Sequence, residues 1–483
     1  MNIKFETLKH VETIDYYLKF KDFSGKSLQE WITPLLVAMT DKGAIPYLLD
    51  PNRRERFRAS PLASTIIGLD SAHLLPDCTI DAMQDKLLYL RDNAEEADPL
   101  QKSVEKKEED IDGWSYSEGV SVWSTSMALL ALMCHKDLAC KRAERFKKSV
   151  LWLARQKQVG KNGWGYQLSN NCIENVPMTA LAVRALALCY QSKDVFALTI
   201  EEEETIMSAM TAGFQYIKDS KKTGNNLIWW EFNNQKSCVA TVWALCAIKE
   251  LCRIGIVLDS EDFYLANRFR GVNFVVSCMP SAISSWKSEQ FVCEGGAKYN
   301  KQKNYYSFSS ALLSDLFELG LSPYHPKVIK QIRWLIENSD KWQIQGYDRT
   351  AICSFTYAMV LGVLAKWRCM VGEFCAKRIL EKESHLDKIA GIIYGLPVYH
   401  SSEFQMILKR RTLFLWIISI LIICFTGKII KGIIKLTTAI LIIFGQQWSS
   451  IAVNVLSCFI YAGIITLATF VYHKLFRRNT NDQ

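Results

Sequence analysis

The sequence lacks the cysteine pattern of a zinc-binding or disulfide-rich protein. Its 15 cysteines are spread over 483 residues, and no two have the Cys-x-x-Cys spacing of a structural zinc site. Several lie inside apolar stretches that are typical of helices, at Cys134, Cys189, Cys246 and Cys353. We therefore expect free, buried thiols in a reducing compartment. The sequence predicts no metal and no cofactor.

A signal peptide and a nucleic-acid surface are also missing. The N-terminus has no continuous apolar core, so we expect the N-terminal domain to stay in the cytoplasm. The formal net charge is +9, but none of the basic clusters is interleaved with aromatic side chains on one predicted face, which argues against nucleic acid as a partner. Gly295-Gly296 is not followed by a Lys-Ser/Thr pair, which excludes a phosphate-binding loop of that type.

The sequence does contain a repeated unit, seen best between Arg145 and Tyr190. An amphipathic helix is followed by a turn with Gly163-Trp164-Gly165, and then by a helix of apolar and small residues that begins near Pro177. Looser copies place tryptophans at Trp114, Trp164, Trp230, Trp286 and Trp342, with spacings of 50, 66, 56 and 56 residues. A period of this size, made of two helices, indicates a repeat architecture.

The composition of the second helix of each unit favours a closed arrangement. With 61–75 included, we count about six such inner helices, each preceded by an outer one. The inner helices are apolar or small on nearly all faces, which is typical of helices that are buried all round. We predict an all-α (α/α)6 toroid over residues 30–372, after a lead-in segment at 1–29. An open helical solenoid is the alternative.

The C-terminal part is predicted to be a membrane anchor. A polar linker at 373–408 leads into the anchor at 409–483, with spans at about 412–430 and 451–472. Cations on both flanks favour two crossings with both ends in the cytoplasm. The apolar segment 432–446 leaves three spans as the alternative. This interpretation gives a multi-pass membrane protein, with the lipid bilayer as a partner.

Two segments, SVLWLARQKQVGKNGWGY and NVPMTALAVRALAL, resemble repeats of squalene and oxidosqualene cyclases and of protein prenyltransferase β subunits. The resemblance covers roughly residues 75–366. It implies a double ring of helices around an apolar cavity that accepts an isoprenoid chain. It also implies structural roles, in which the glutamine and the tryptophan of each turn tie successive repeats together. These residues are Gln156, Trp114, Trp164, Trp230, Trp286 and Trp342.

The residues that carry the two chemistries of these enzymes are absent at the matching positions. A class II cyclase protonates an alkene with an Asp-x-Asp-Asp-Thr-Ala run, whereas the best match here, Ser121 to Ser126, holds no carboxylate. The zinc-binding Asp, Cys and His of the prenyltransferases match Lys303, Tyr305 and Phe355. The resemblance therefore implies the fold without either known reaction.

Polar residues precede the inner helices and would converge at one mouth of a closed ring. A carboxylate there is explained most simply as a helix cap, and the alternative is an acidic rim with Glu174 or Glu231 as the catalytic residue. Aromatic residues on the inner helices would line the cavity and hold an apolar ligand. The candidate ligand-binding residues are Trp123, Glu174, Asn175, Trp243, Tyr305, Tyr306, Phe308, Phe355 and Tyr357.

Three functions are consistent with these features. The first is a toroid that binds an isoprenoid, another lipid or a partner protein and performs no catalysis. The second is a divergent terpene cyclase or prenyltransferase with an unrecognised acid site. The third is a sensor or effector in which the toroid controls the membrane segment.

Overall fold

The computed structural model describes residues 2–47, 49, 57–93, 112–115, 120–156, 162–166, 173–255, 257–284, 286, 306–342 and 354–371. The chain divides into two compact units, Met1–Val398 and Tyr399–Gln483, and every described residue belongs to the first.

Helices alternate between two sets along the described chain. Six outer helices are α3 (Leu28–Ala38), α5 (Asp77–Asp92), α7 (Lys136–Arg155), α10 (Ile200–Asp219), α12 (Ser260–Cys278) and α14 (Pro326–Glu337). Each is followed by an inner helix: α4 (Ala59–Asp70), α6 (Val122–Met133), α8 (Val176–Tyr190), α11 (Cys238–Ile254), α13 (Tyr306–Glu318) and α15 (Ser354–Val371). Two short elements, α9 (Lys193–Phe196) and a 3-10 turn (Ser339–Lys341), complete the connections between them.

The inner helices form a closed ring. Each of them packs against the next, from α4 through α6, α8, α11 and α13 to α15, and α15 packs against α4. Backbone contact closes this last pair, because a Cβ atom at Gly68 would lie 2.8 Å from the carbonyl carbon of Ala358. The helix contacts thus establish the predicted ring of helix pairs and exclude the open solenoid.

Burial follows the two-layer arrangement. In α8, 13 residues from Val176 to Tyr190 are buried, on all sides of the helix. The outer helix α7 instead has one apolar side, on which Phe146, Val150 and Leu153 are buried. An inner helix is covered by ring neighbours and by outer helices, so that it has almost no face left for water.

The N-terminal segment is structured. Helices α1 (Ile3–Leu18) and α2 (Phe20–Ser24) precede the first outer helix. Helix α1 packs against the outer helices α3 and α5 and against the last inner helix, α15. Its hydroxyl Thr7 Oγ1 is hydrogen-bonded to Thr79 Oγ1 of α5 at 2.6 Å.

A small antiparallel sheet interrupts the helical pattern between α10 and α11. Its strands are β1 (Lys222–Gly224), β2 (Leu227–Phe232) and β3 (Gln235–Ser237), paired in the order β1-β2-β3. Both turns are Asn-Asn pairs with positive φ, at Asn225 (49°), Asn226 (59°), Asn233 (51°) and Asn234 (59°). Asparagine tolerates this left-handed backbone, which matches the twist of a two-residue hairpin.

The predicted multi-pass membrane localisation is corrected by this structure. In the part of the chain described above, no helix combines the length and the apolar character needed to cross a bilayer. The segments predicted as spans, at 412–430 and 451–472, and the intervening segment 432–446 lie outside the described residues. The membrane localisation is therefore withdrawn.

Candidate functional site

Three inner helices begin with the same local arrangement. A polar side chain just before each helix accepts a backbone N–H from three residues further on, at 3.0 Å in each case. These N-caps are Ser121, Asn175 and Ser237. Caps of this kind satisfy the free N–H groups of the first turn. Asn175, which we expected to bind ligand, uses its side-chain oxygen in this way.

A threonine in the first turn of the same helices accepts the backbone N–H of the preceding Trp turn. The bonds run from Trp114 to Thr125 at 3.0 Å, from Trp164 to Thr179 at 2.9 Å and from Trp230 to Thr241 at 3.1 Å. Each threonine is fully buried. The pairing therefore fixes the loop against the start of the inner helix without help from water.

The indole groups of these tryptophans reach back to the outer helix. Their Nε1–H groups donate to the backbone oxygens of Leu87, Leu153, Ile217 and Leu335, from Trp114 (2.7 Å), Trp164 (3.0 Å), Trp230 (2.6 Å) and Trp342 (3.0 Å). Trp286 is buried, and its Nε1–H has no hydrogen-bond partner among the described residues. Gln156 is the C-cap residue of α7, and its N–H donates to Trp152 O at 3.0 Å.

Two of the predicted ligand-binding residues meet inside the ring. Trp123 of α6 and Trp243 of α11 stack with their ring centroids 5.6 Å apart and an interplanar angle of 29°. Their helices are not neighbours in the ring, because α8 stands between them. The stack therefore lies on the inner side of α8, near the N-terminal ends of the inner helices. Trp243 is buried, whereas Trp123 is half-buried.

The remaining predicted aromatic residues divide between two environments. Phe355 occupies the second position of α15, as Trp123 does in α6, and stacks on Tyr47 with centroids 6.2 Å apart. Tyr306 instead stacks on Trp334 of the outer helix α14 at 4.6 Å. Tyr357 contacts Trp342 edge-on at 5.4 Å, so this side chain also points towards the outer layer. Tyr305 lies outside the described residues, as does the side chain of Phe308.

Glu174 is engaged in holding the loop before α8. Its Oε2 accepts the backbone N–H of Gly163 at 2.9 Å, and its backbone oxygen accepts the hydroxyl of Tyr216 at 3.2 Å. Both the side chain and the backbone of Glu174 thus brace this loop.

Glu231 lies on the hairpin. It belongs to β2 and is paired in register with Lys236 of β3. Residues paired directly across two antiparallel strands lie on the same face, so the two side chains share one face of the hairpin. The ammonium of Lys236 also lies 4.0 Å from the ring centroid of Trp229. No described contact joins Glu231 to Glu174.

A network of charged side chains crosses the ring towards the C-terminal ends of the inner helices. Arg184 of α8 donates to Asp315 Oδ1 at 2.9 Å and to Glu318 Oε2 at 3.0 Å, both on α13. Lys366 of α15 donates to Glu318 Oε1 at 3.2 Å. Lys249 of α11 donates to the backbone oxygen of Glu318 at 2.9 Å. Since α11 separates α8 from α13 in the ring, the Arg184 pairs span the interior.

The electrostatics of this network keep its central carboxylate ionised. Burial alone would raise the pKa of Glu318, but the charges of Arg184, Lys366 and Lys249 lower it to about 2. For Arg184, burial opposes the charged form, yet Asp315 and Glu318 together raise its pKa well above the usual value. Burial, more than any other influence, raises the pKa of Asp315. The interior of the ring is thus charged at this end, contrary to a wholly apolar cavity.

The sequence does contain a signal for this network. A charged residue inside an otherwise apolar inner helix, such as Arg184 within ALAVRALAL, is costly unless it is paired. Asp315, Glu318 and Lys366 interrupt their helices in the same way. The threonine partners of the tryptophans were missed as well, although Thr125, Thr179 and Thr241 all occupy the fourth position of their helices.

Within the described part of the ring, the first turn of α6 has no carboxylate and no metal-binding cluster is present. Ser121 caps α6, and the remaining side chains of that first turn carry no carboxylate. Within the described ranges there is no group of three or more His, Cys, Asp or Glu side chains that could hold a metal ion. Lys303, like Tyr305, lies outside these ranges, and Phe355 offers no ligand atom for zinc.

Comparisons with known proteins give a distant likeness. No family model and no curated protein matches the sequence. A glycoside hydrolase family 76 mannosidase from Bacteroides thetaiotaomicron is similar to 72% of this chain over 98% of its own length, with a TM-score of 0.43 and 10% identity.

A type II terpene cyclase from Scytonema, in complex with geranylgeranyl dihydroxybenzoate, is similar to 76% of this chain over 99% of its own length, with a TM-score of 0.41 and 14% identity. The apo form of that cyclase gives a TM-score of 0.40 at 13% identity, with 75% of this chain and 99% of the cyclase covered. Similarities this low bear on neither the activity nor the ligand of this chain.

Proposed function

We propose that the toroid binds an apolar ligand, an isoprenoid or another lipid chain, at the N-terminal ends of its inner helices and performs no cyclase or prenyltransferase reaction. The observation that carries this proposal is the stack of Trp123 on Trp243 inside the ring. Aromatic faces directed into a closed ring are the usual lining of a site for apolar ligands.

The accessibility of the aromatic residues supports a site at this end. Trp123 is half-buried, and Phe355, at the same helical position, is half-buried too. Large aromatic rings contribute much apolar area to a contact with a ligand. The tryptophans of the turns that are fully buried, such as Trp164, have no exposed face for a ligand and contribute to the packing between helices instead.

The charged network limits how far the ligand site extends along the interior of the ring. Moving a charged group away from water costs free energy unless it is paired and hydrogen-bonded. An apolar chain that reached Arg184, Glu318 and Lys366 would displace water from them without offering a hydrogen bond. We therefore place the ligand at the aromatic end alone.

The polar groups at the aromatic end support binding without catalysis. Protonation of an alkene needs a carboxylic acid that is dry and protonated. Glu174 Oε2 is engaged by the backbone N–H of Gly163, and Glu231 is half-buried on strand β2, so that neither is a dry, unengaged acid.

Ligand binding by variants tests the proposal. The full chain is incubated with geranylgeraniol, and the complex is measured by native mass spectrometry and by titration calorimetry. Replacing either Trp123 or Trp243 by alanine removes a large apolar contact, worth about 1.5 kcal/mol or more, and is expected to weaken binding roughly tenfold or more. No change in the mass of the alcohol is expected.

Trp229→Ala is the matched control. Trp229 packs against Phe274 of the outer helix α12, with ring centroids 5.9 Å apart. Its replacement by alanine is expected to leave ligand binding unchanged. If the wild type binds no isoprenoid or fatty acid, the proposal is wrong. Equal weakening by all three substitutions would place the site elsewhere, and a product of altered mass would show that catalysis occurs.

A further inference from the structure

Three cations from three inner helices converge on one glutamate inside the ring. Arg184 of α8 donates to Glu318 Oε2 at 3.0 Å, and Lys366 of α15 donates to Oε1 at 3.2 Å. Lys249 of α11 donates to the backbone oxygen of the same residue at 2.9 Å. The second carboxylate, Asp315, accepts Arg184 at 2.9 Å. Three cations against two carboxylates leave this network with one surplus positive charge.

Lys249 is the cation of the network that bonds to no carboxylate among the described residues. Its described hydrogen bond goes to a neutral backbone oxygen, although an ammonium group has three N–H donors. Glu250, the next residue, is engaged elsewhere, because its carboxylate accepts Arg253 at 2.8 and 3.0 Å and Gln191 at 3.2 Å. Burial lowers the pKa of Lys249, and the charge of Glu318 opposes this only in part. The surplus charge therefore lies at Lys249.

The network adjoins space that a small molecule can enter. Its side chains keep part of their surface accessible: 16% for Arg184, 14% for Asp315, 19% for Lys366 and 32% for Glu318. Because the Arg184 pairs span the interior, this space lies along the inside of the ring. The Nε–H of Arg184 has no hydrogen-bond partner in the part of the chain that the structure describes. Donors are thus left over beside accessible space.

The network lies deeper in the ring than the stacked tryptophans. Lys249 follows Trp243 by six positions in α11, which is about 9 Å along the helix axis. Arg184 is the ninth residue of α8, whereas Trp123 is the second residue of α6. The interior therefore has an aromatic part near the N-terminal ends of the inner helices and a cationic part about one to two helical turns beyond it.

We propose, on the basis of the function proposed above, that the ligand is an amphiphile with a single carboxylate, whose apolar chain contacts the tryptophans and whose headgroup binds Lys249 at the network. The cost that keeps an apolar chain away from these charges does not apply to a carboxylate, which accepts the free donors in charge-assisted hydrogen bonds. One negative charge also neutralises the one surplus positive charge, whereas a dianionic headgroup would leave a buried charge unpaired. The fitting class is a long-chain carboxylic acid, either isoprenoid or fatty acyl.

Pairs of ligands that differ only in the headgroup test this assignment. Geranylgeranoic acid is compared with geranylgeraniol, and hexadecanoic acid with hexadecanol. The dissociation constants for the full chain are measured by titration calorimetry at about pH 7.4, where a carboxylic acid is ionised. At least one acid is expected to bind about tenfold or more tightly than its alcohol, because its hydrogen bonds to the network are charge-assisted. The pair with the larger preference identifies the chain as isoprenoid or fatty acyl.

Substitutions in the network have opposite expected signs. Lys249→Gln removes the surplus cation and is expected to abolish most of the preference for the acid, while the affinity for the alcohol stays within about twofold. Glu318→Gln removes a carboxylate and is expected to strengthen binding of the acid. Lys327→Gln is the matched control, because Lys327 also donates to a backbone oxygen, that of Val276 at 2.8 Å, but belongs to the outer helix α14. The control is expected to keep the wild-type preference.

Two results would overturn the headgroup assignment. One is a wild type that binds the acids no more tightly than the alcohols, in which case the apolar site proposed above still stands. The other is Lys249→Gln that weakens the binding of acid and alcohol equally. If neither acids nor alcohols bind, the proposed function and the headgroup assignment are both wrong. If Lys249→Gln fails to fold, Lys249→Met is measured in its place, with the wild-type preference as the independent readout.

Discussion

Three tryptophans of the turns are each held by two hydrogen bonds that point in opposite directions along the repeat. The backbone N–H of Trp164 donates to Thr179 of the inner helix at 2.9 Å, while its indole N–H donates to Leu153 of the outer helix at 3.0 Å. All these atoms are buried, so each bond that is lost leaves a donor without water. The repeat is therefore sensitive to the loss of a single hydroxyl.

The hydroxyl of Thr179 is expected to contribute measurably to stability. Thr179→Val keeps the shape of the side chain but leaves the N–H of Trp164 buried and unpaired, at a cost of about 1–3 kcal/mol. Thr205→Val is the control, because Thr205 bonds only to Glu201 O on the exposed side of α10 at 2.9 Å and is expected to change stability by less than about 0.5 kcal/mol. Urea unfolding measures both. Equal midpoints for the two variants would contradict this role.

At the residue scale, the sequence alone could not give the contacts of individual side chains. The spacing of the tryptophans was visible, whereas their threonine partners depend on how far the loop returns before the inner helix starts. The same holds for Arg184, whose partners Asp315 and Glu318 are more than a hundred residues away in sequence. Pairs of this kind arise only when the ring is closed.

Helix α14 shows how one element can depend on the charge state of its cap. His325 precedes this helix, and its ring Nδ1 accepts the backbone N–H of Lys327 at 3.2 Å. A ring nitrogen can accept only when it carries no proton. Burial, assisted by the charge of Lys327, lowers the pKa of His325 to about 4.

Acid is expected to weaken the contribution of His325 to stability, because folding lowers the pKa of its ring. The pKa is lower in the folded state than the ordinary value of 6.5, so the unfolded chain takes up the proton first. The contribution of His325 to the free energy of unfolding is fully present above pH 6.5 and is lost as the pH falls towards 4. The loss is expected to reach up to about 3 kcal/mol.

His325→Asn removes the titrating group and keeps an oxygen acceptor at the cap. The free energy of unfolding in urea, measured at about pH 7 and about pH 4.5, should fall less for this variant than for the wild type. Comparing the two proteins cancels the carboxylates that titrate in the same interval. A wild type and a variant with the same acid sensitivity would show that His325 is not responsible.

The hairpin is the element that the sequence analysis missed, although its signals were present. The segment from Thr223 to Ser237 has two Asn-Asn pairs on either side of Leu227–Phe232, which is rich in aromatic and β-branched residues. Asn-Asn turns flanking such a run predict a hairpin. The helical period of the neighbouring repeats masked this pattern. As a result, Glu231 was expected at the start of a helix and instead lies on a strand.

At the scale of the whole molecule, the ring depends on two glycines. Gly68 of α4 and Gly362 of α15 face each other where the last inner helix returns to the first. A methyl group on Gly362 would overlap the carbonyl oxygen of Gly68. The period and composition predicted the ring, but this close approach is set by the accumulated rotation of all the repeats, which no single segment encodes.

Gly362→Ala is expected to destabilise the toroid, although alanine is the better helix former by about 1 kcal/mol. The overlap with Gly68 would force the two helices apart, at a cost of about 1–3 kcal/mol. The change is measured as the midpoint of thermal or urea unfolding. A variant that is as stable as the wild type would show that the seam has room.

Gly255→Ala measures the cost of a side chain at positive φ in the absence of any steric overlap. Gly255 has φ of +66°, and an added Cβ would meet nothing within 4 Å, so this variant carries only the backbone penalty of about 1–2 kcal/mol. Gly362 lies within α15 and does not have a positive φ, so Gly362→Ala carries no such backbone penalty. A loss of stability in that variant therefore measures the steric overlap at the seam.

The closing contact also sets the order in which the chain can complete its fold. Thr65 on α4 bonds to Ser354 on α15 across a sequence separation of 289 residues, and Ser354 also donates to Tyr47 O across 307. During synthesis, the face of α4 that packs against α15 stays uncovered until nearly the whole ring has been made. Contacts so distant in sequence slow folding, and an unfinished ring exposes apolar helices to aggregation. The seam is thus both the last joint to form and the place where an incomplete chain is most exposed.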